Sequence, residues 1–194
     1  MDASSVTFRE CVFSRQFLVF YVMCLCSIFE GYYVLNVYKS FGETIPVLED
    51  DLFLTQVGII AAGLNSVRFV WSSAFDVPGV SFKMVYGVLL VIQIVLGLTL
   101  MWASQSKLTY TIWVSVILFA EGGHFALLPT VIKALYGNLA TQVYSLLFTF
   151  TGLSNLMIIL VVRSHFGHDY SSVFQVMSGL SAVSLAILLL FFKE

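Results

Sequence analysis

Four side chains that are costly to place in lipid lie inside long apolar stretches of this sequence: Glu30, Arg68, Glu121 and His124. A charged group at the centre of a bilayer costs about 2.5 to 3.5 kcal/mol on insertion scales. Each of the four must therefore face protein or a water-filled cavity. These residues are the first candidates for binding and proton chemistry.

Arg68 is the candidate for anion binding. It lies in the second half of the second apolar stretch, between Asn65 and Asp76. A planar guanidinium can hold a carboxylate through two parallel hydrogen bonds, which a lysine does less specifically. The structural alternative is that Arg68 extends to the membrane surface or pairs with Asp76.

Glu121 and His124 are separated by two glycines in the fourth apolar stretch. Residues three apart share a helix face, and histidine titrates near neutral pH, so the pair is a candidate for proton coupling. In the structural alternative, Glu121 caps a neighbouring helix end and His124 is hydrogen-bonded across helices. The glycines would let another backbone approach closely. Glu30, followed by Gly31, holds the equivalent position in the first stretch.

The composition requires a membrane environment for these residues. The chain has 194 residues, of which 59% are hydrophobic and 10% charged, and its mean hydropathy is +0.96. Because a helix needs about 20 apolar residues to cross the hydrocarbon core, six spans occupy nearly the whole length as one domain, 1–194. The predicted all-α spans are Phe17–Val37, Phe53–Phe75, Lys83–Ala103, Thr109–Val131, Val143–Arg163 and Val173–Phe192.

Charge and cysteine content exclude several other classes. The formal net charge is −2, and no cluster of Lys and Arg is present, so we expect no nucleic-acid partner. Cys11, Cys24 and Cys26 lack zinc-site spacing and are interpreted as reduced packing residues. No phosphate-binding loop, carrier signature or serine-protease arrangement fits, so we expect neither an enzyme nor a cofactor or metal.

An even number of spans places both termini on one side of the membrane. The connections on that side carry five basic residues and those on the other side three, which favours termini in the cytoplasm or its equivalent. The five are Arg9, Arg15, Lys83, Lys133 and Lys193, and the three are Lys39, Lys107 and Arg163.

The first three spans resemble the last three in order. Glu30-Gly31 in the first span corresponds to Glu121-Gly122 in the fourth, and Asn65 in the second to Asn155 in the fifth. With three helices in each unit, the second copy enters from the opposite side of the membrane. The pattern therefore predicts two inverted three-helix repeats.

These features together resemble the C-terminal half of a major facilitator transporter of the oxalate/formate antiporter or monocarboxylate-porter type. The resemblance is carried by the segment 65–76 with Gly79, by EGGHFALLPTV from Glu121, by VYSLLFTFTGLSNL from Val143 and by YKSFG from Tyr38. It implies that Arg68 holds a substrate carboxylate, with Asn65 as a further binding residue. The loop motif is partly lost, because Asp76 and Gly79 match it whereas Ser72, Val77 and Val80 do not.

We therefore expect a half-transporter for small organic anions in the lipid bilayer of a plasma or organellar membrane. Since a full transporter has two six-helix halves, it would pair with a second half or with itself. The alternative is a structural subunit, derived from a transporter but without transport, in a larger assembly such as an organellar inner-membrane complex, for example in mitochondria. Two features favour this alternative: the chain has six predicted spans where a full transporter has two six-helix halves, and its loop motif is only partly retained.

Overall fold

A computed structural model describes residues 7–162 and 169–192, and in these ranges the chain is helical with no strand. Most long helices begin at a serine or aspartate whose side chain accepts a hydrogen bond from the first turn, as expected of N-caps. The caps are Ser14, Asp50, Ser81, Ser106 and Asp169. The helices are α1 (Phe8–Val12), α2 (Arg15–Glu43), α3 (Asp51–Ser66), α4 (Phe69–Ser73), α5 (Phe82–Ala103), α6 (Lys107–Tyr136), α7 (Ala140–Leu147), α8 (Thr149–Met157) and α9 (Tyr170–Leu190).

Within residues 7–162 and 169–192, five helical stretches are long and apolar enough to cross a membrane, which confirms an all-helical protein suited to a bilayer. They are Arg15–Glu43, Asp51–Asp76, Phe82–Ala103, Lys107–Leu160 and Tyr170–Leu190. The fourth has 54 residues, well over twice the length of about 20 residues that one crossing requires. It is interrupted after Tyr136 by Gly137, whose φ of +53° ends α6.

Two clusters of buried apolar side chains show how the chain runs. One, the terminal cluster, contains Cys11 and Phe192, from near the two ends of the described chain; the other is called the distal cluster. Residues of α6 run from the distal to the terminal cluster, and α7–α8 run back from Leu147 to Ile158. The chain therefore reverses at Gly137, and its described segments make six passes between the two clusters. The passes are α2, α3–α4, α5, α6, α7–α8 and α9.

The first, second, third and sixth predicted spans each overlap one of the five stretches, whereas the fourth and fifth both overlap Lys107–Leu160. Two of the predicted ends are underestimated. The first helix extends to Glu43 rather than Val37, and the fourth to Tyr136 rather than Val131. In the first helix, Lys39 lies in the extension and forms an ion pair with Asp51, with an Nζ–Oδ1 distance of 2.6 Å. Apolar runs locate the lipid-facing part of a helix but not the polar turns beyond it. The predicted end of the fifth span at Arg163 lies outside the described residues.

Ion pairs join the distal ends of α2, α3 and α6. Lys107 donates to Asp50 Oδ2 at 2.7 Å and lies 4.8 Å above the centroid of the Phe53 ring. The hydrogen bond from Lys107, with a second from the backbone N–H of Phe53, holds the pKa of Asp50 below its usual value. These contacts fix the first connection against the start of α6.

We expect Gly137→Ala to destabilise the protein by about 1 to 3 kcal/mol, because a residue with a side chain is strained at φ +53° and ψ −116°. Gly152→Ala in α8 is the matched control, since no atom lies within 4 Å of the added Cβ. It should leave the free energy of unfolding unchanged or raise it slightly. The free energy is measured by titration with a denaturing detergent, and equal losses in both variants would contradict this account of the reversal.

Candidate functional site

Arg68 lies where the second pass departs from regular helix. Val67 ends α3 with φ −91° and ψ 17°, and Arg68 precedes the first residue of α4. The stem of the side chain packs on Gly122 of α6: a Cβ added at Gly122 would lie 3.0 Å from Cβ of Arg68 and 3.2 Å from Cδ. Gly122 therefore provides the room that this side chain occupies.

The side chain of Arg68 is exposed and forms no ion pair with Asp76 or with any other acidic residue among those described. Its electrostatic neighbour is Tyr144 of α7. Tyr144 begins a row of rings, which we call the aromatic patch, with centroid separations of 5.6, 5.8 and 6.3 Å between successive members. The row continues through Phe148, Phe125 and Tyr32.

Asn65 lies one helical turn before Arg68 and also faces α6. Its side-chain oxygen Oδ1 is buried without a hydrogen-bond partner, and a Cβ added at Gly122 would overlap it. The residue as a whole is half-buried. The structure thus places Asn65 and Arg68 together against Gly122, with the guanidinium on the exposed side.

Glu121 and His124 are buried in the middle of α6. Oε2 of Glu121 and Nδ1 of His124 are 3.9 Å apart, which is beyond hydrogen-bond length. Neither carboxyl oxygen of Glu121 has a hydrogen-bond partner among the described residues. The His124 ring stands edge-on to Tyr86 of α5 at 5.2 Å, and its nitrogens make no hydrogen bond to another of the described helices.

Glu30 of α2 completes what we call the acidic cluster, formed by Glu30, Glu121 and His124. Its Oε2 accepts a hydrogen bond of 3.3 Å from Ser181 of α9, whereas Oε1 faces Gly97 of α5 and has no hydrogen-bond partner in the ranges the structure describes. The adjacent Gly31 receives the carboxyl group of Glu121, which a Cβ at that position would overlap. Glu30 and Glu121 also interact electrostatically. Two carboxyl groups and one imidazole are therefore enclosed by helices, and no cationic side chain in the described part of the chain is bonded to them.

The structural roles considered for Glu121 and His124 differ from what is observed. The carboxyl group of Glu121 lies against Gly31 inside α2 rather than at a helix end, and His124 contacts the Tyr86 ring rather than a polar group on another helix. The glycines admit side chains rather than a backbone, because Gly122 faces Asn65 and Gly123 faces Leu89.

Sequence reasoning missed a hydrogen-bond chain next to the acidic cluster. Gln93 of α5 donates through Nε2 to the carbonyl oxygen of Ser27 at 3.1 Å, and the hydroxyl groups of Ser27 and Tyr86 are 2.7 Å apart. Ser184 of α9 donates to the carbonyl oxygen of Met23 at 2.8 Å. Gln93 could have indicated these hydrogen bonds from the sequence, because an amide in the middle of a largely apolar helix needs a hydrogen-bond partner inside the protein.

Asp76 and Gly79 of the loop motif lie in the turn before α5. Asp76 is exposed, and Gly79 has a φ of +84°, which favours glycine. Asp76 forms no ion pair with a described residue. The two motif residues thus shape an exposed turn and do not join the acidic cluster.

The architecture offers an exposed cation beside aromatic rings and, behind it, a buried acid and imidazole. Comparison with known proteins assigns no family: no family model matches the sequence, and no curated protein is significantly similar to it.

Proposed function

We propose that this chain is one six-helix half of a major-facilitator-type transporter for small organic anions, built as two inverted three-helix repeats. It acts with a second half, which is either a partner chain or a second copy. Arg68 binds the carboxylate of the substrate. The support comes from the packing pattern, from the exposure of Arg68 and from the chemistry around it.

The packing pattern supports the repeat. The first pass contacts the fifth and sixth, and the fourth pass contacts the second and third. The third and sixth passes pack together, as do the first and fourth. Exchanging the first three passes with the last three leaves this set of pairs unchanged. Such an exchange, combined with an odd number of passes in each unit, is what inverted repeats require.

Both repeats also lose regular α geometry close to the corresponding asparagine. Val67 and Arg68 interrupt the second pass just after Asn65, and a single wide turn, Ile158–Val162, follows Asn155 in the fifth. Discontinuous helices near the bilayer midplane are typical of substrate sites in transporters with inverted repeats.

The observation that carries the proposal is the exposed guanidinium of Arg68 within a membrane-spanning stretch. Arg68 is eight residues from Asp76, the end of the stretch, or about 12 Å at 1.5 Å per residue. A lipid-facing arginine at that depth would cost about 2 to 3 kcal/mol. This face is therefore best explained as one that a second half covers or that lines a water-filled cavity.

The surroundings of Arg68 favour a carboxylate with an apolar part. The guanidinium supplies a bidentate donor, and the aromatic patch supplies an apolar surface beside it. No carboxylate among the described residues pairs with Arg68, so the donors are available to a ligand.

The test is uptake of radiolabelled lactate and oxalate into liposomes that contain the affinity-purified chain with whatever co-purifies. We expect Arg68→Lys to reduce uptake at least tenfold, because one bidentate charged contact is worth about 1.5 to 3 kcal/mol. Arg15→Lys, at the exposed start of α2, is the matched control and should transport normally.

Equal uptake by the Arg68→Lys variant and the wild-type protein would remove Arg68 from the site. The native mass in mild detergent identifies the partner: a dimer or a complementary half supports transport. A large assembly that takes up neither probe would instead support a structural subunit.

A further inference from the structure

An open apolar pocket, which we call the terminal pocket, lies at the end of the bundle that holds the terminal cluster. Its volume is about 360 Å³, more than twice the roughly 150 Å³ of an engineered apolar cavity that binds benzene. Six of the described residues that line it are apolar, and the seventh is Thr130. The six are Phe75, Phe82, Val131, Ala134, Leu135 and Phe192.

The walls of the terminal pocket favour an apolar occupant. A buried water needs about two to four polar partners, whereas the described lining side chains supply one hydroxyl group. The floor of the pocket is preformed, because the buried rings of Phe82 and Phe192 lie 5.3 Å apart between centroids. Both rings also pack on Phe20, at 6.0 and 5.5 Å. An apolar chain that enters the pocket therefore covers existing apolar surface without opening the core.

The terminal pocket lies where the stretches suited to cross a membrane end. Phe75 is one residue before the end of the second stretch, and Phe82 begins the third. Phe192 lies two residues beyond Leu190, the end of the last stretch. In a bilayer, such positions lie where the hydrocarbon core meets the headgroups. An occupant with an apolar chain and a polar head fits this place, and phospholipids are the molecules of that kind that a bilayer supplies.

The described rim of the pocket carries more positive than negative charge. Lys133 is exposed on α6, one helical turn after Thr130, and Lys83 and Asp76 are each next to a lining phenylalanine. Nζ of Lys133 donates to the carbonyl oxygen of Gly137 at 3.3 Å. Because an ammonium group has three donors, Lys133 can also donate to a phosphate. Basic residues near the membrane surface attract anionic headgroups, so the charge at the rim favours an anionic lipid.

We propose that the terminal pocket binds one acyl chain of an anionic phospholipid, with the phosphate of the headgroup at Lys133. The acyl chain contacts Phe75 and Phe82, on the two sides of the turn between the second and third passes, and Ala134 and Leu135 on α6. The bound lipid thereby holds this turn against the end of α6. The site requires that the bundle lies in a bilayer, but it is independent of the proposed transport of anions.

The test adds dioleoyl phosphatidylglycerol or dioleoyl phosphatidylcholine to the full chain in mild detergent, and native mass spectrometry counts the bound lipids. We expect the wild-type protein to bind phosphatidylglycerol at least about fivefold more tightly than phosphatidylcholine. Lys133→Gln should remove most of this preference, because one basic residue near an anionic headgroup accounts for about fivefold in affinity. Arg15→Gln removes an exposed cation from the same end of the bundle and is the matched control, which should keep the preference. Equal losses in Lys133→Gln and Arg15→Gln would overturn the headgroup assignment.

Ala134→Phe tests the apolar part of the site. The new ring would occupy the pocket, and because Ala134 is exposed, the ring does not overpack the core. Both lipids should bind at least about tenfold more weakly, since the burial of several methylene groups is lost. Ala62→Phe, at an exposed position of α3, is the matched control and should bind both lipids as the wild-type protein does.

A phosphatidylglycerol with a diazirine in its acyl chain localises the bound lipid. Cross-links to the segment 130–135 that Ala134→Phe removes would support the site. Unchanged lipid binding in Ala134→Phe, or equal labelling of the exposed faces of α5 and α9 in both proteins, would overturn it. A dimer of the wild-type chain that Ala134→Phe dissociates would show that a second copy fills the pocket in place of a lipid.

Discussion

Gly31→Leu is expected to leave little folded protein, with a loss of about 3 kcal/mol or more in the free energy of unfolding. The leucine would occupy the volume of the Glu121 carboxyl group where α2 crosses α6. Both residues are buried, so the crossing must open to accommodate it. Overpacking a close-packed interior typically costs about 1 to 3 kcal/mol, and here it would also separate two central helices. Titration with a denaturing detergent provides the measurement.

A double-mutant cycle keeps this prediction testable if Gly31→Leu does not fold. Gly31→Ala should be destabilising by itself, but much less so in a Glu121→Ala background, because the atoms that the new Cβ meets are those of Glu121. We expect a coupling free energy of at least about 1 kcal/mol. Gly179→Ala in α9, where the added Cβ meets nothing within 4 Å, is the control. Additive effects would show that the two residues do not touch.

The second large effect is expected from Gly122→Ala, which should reduce lactate and oxalate uptake at least tenfold. The new Cβ would overlap the side-chain oxygen of Asn65 and crowd the stem of Arg68, and so displace the guanidinium. A misplacement of about 1 Å in a positioning group can cost a hundredfold in rate. Gly63→Ala, on the second pass itself, adds a Cβ in open space and should transport normally.

Removing the Asn65 amide, which the new Cβ at Gly122 would overlap, should separate the effect of Gly122→Ala on the position of Arg68 from its effect on stability. In the double variant Gly122→Ala with Asn65→Ala, the free energy of unfolding should return toward that of Asn65→Ala alone. Full uptake by Gly122→Ala, in protein that binds lactate with unchanged affinity, would show that Gly122 does not position Arg68.

The sequence predicts an all-helical chain suited to a membrane because the bilayer imposes a simple rule on the length and polarity of a helix. Each long apolar run corresponds to a pass, and the enclosure of Glu30, Glu121 and His124 agrees with the cost of placing them in lipid. The reversal at Gly137 was also predictable, because glycine punctuates a helix that is too long for one crossing.

The contacts inside the bundle were not predictable in the same way. The long helices α2, α5, α6 and α9 are apolar around most of their surface, so hydropathy does not indicate which face of α5 meets α9 or that Gly31 faces Glu121. Those choices depend on the matching of small and large side chains across helices. A single sequence shows which small and large residues are present but not which of them pair across helices. For this reason the structural roles first considered, a helix cap for Glu121 and a cross-helix hydrogen bond for His124, do not agree with the structure.

The six passes leave the two ends of the described chain at the same end of the bundle, where Phe20 and Phe192 lie 5.5 Å apart between ring centroids. Whether a unit has an even or an odd number of passes then determines how two copies can be joined in one chain. Under the proposed six-crossing topology, a tandem gene fusion of two such units keeps both in the same orientation, whereas fusing three-helix units forces successive copies to alternate. On that proposal, the unit can be covalently doubled without redesigning its insertion into the membrane.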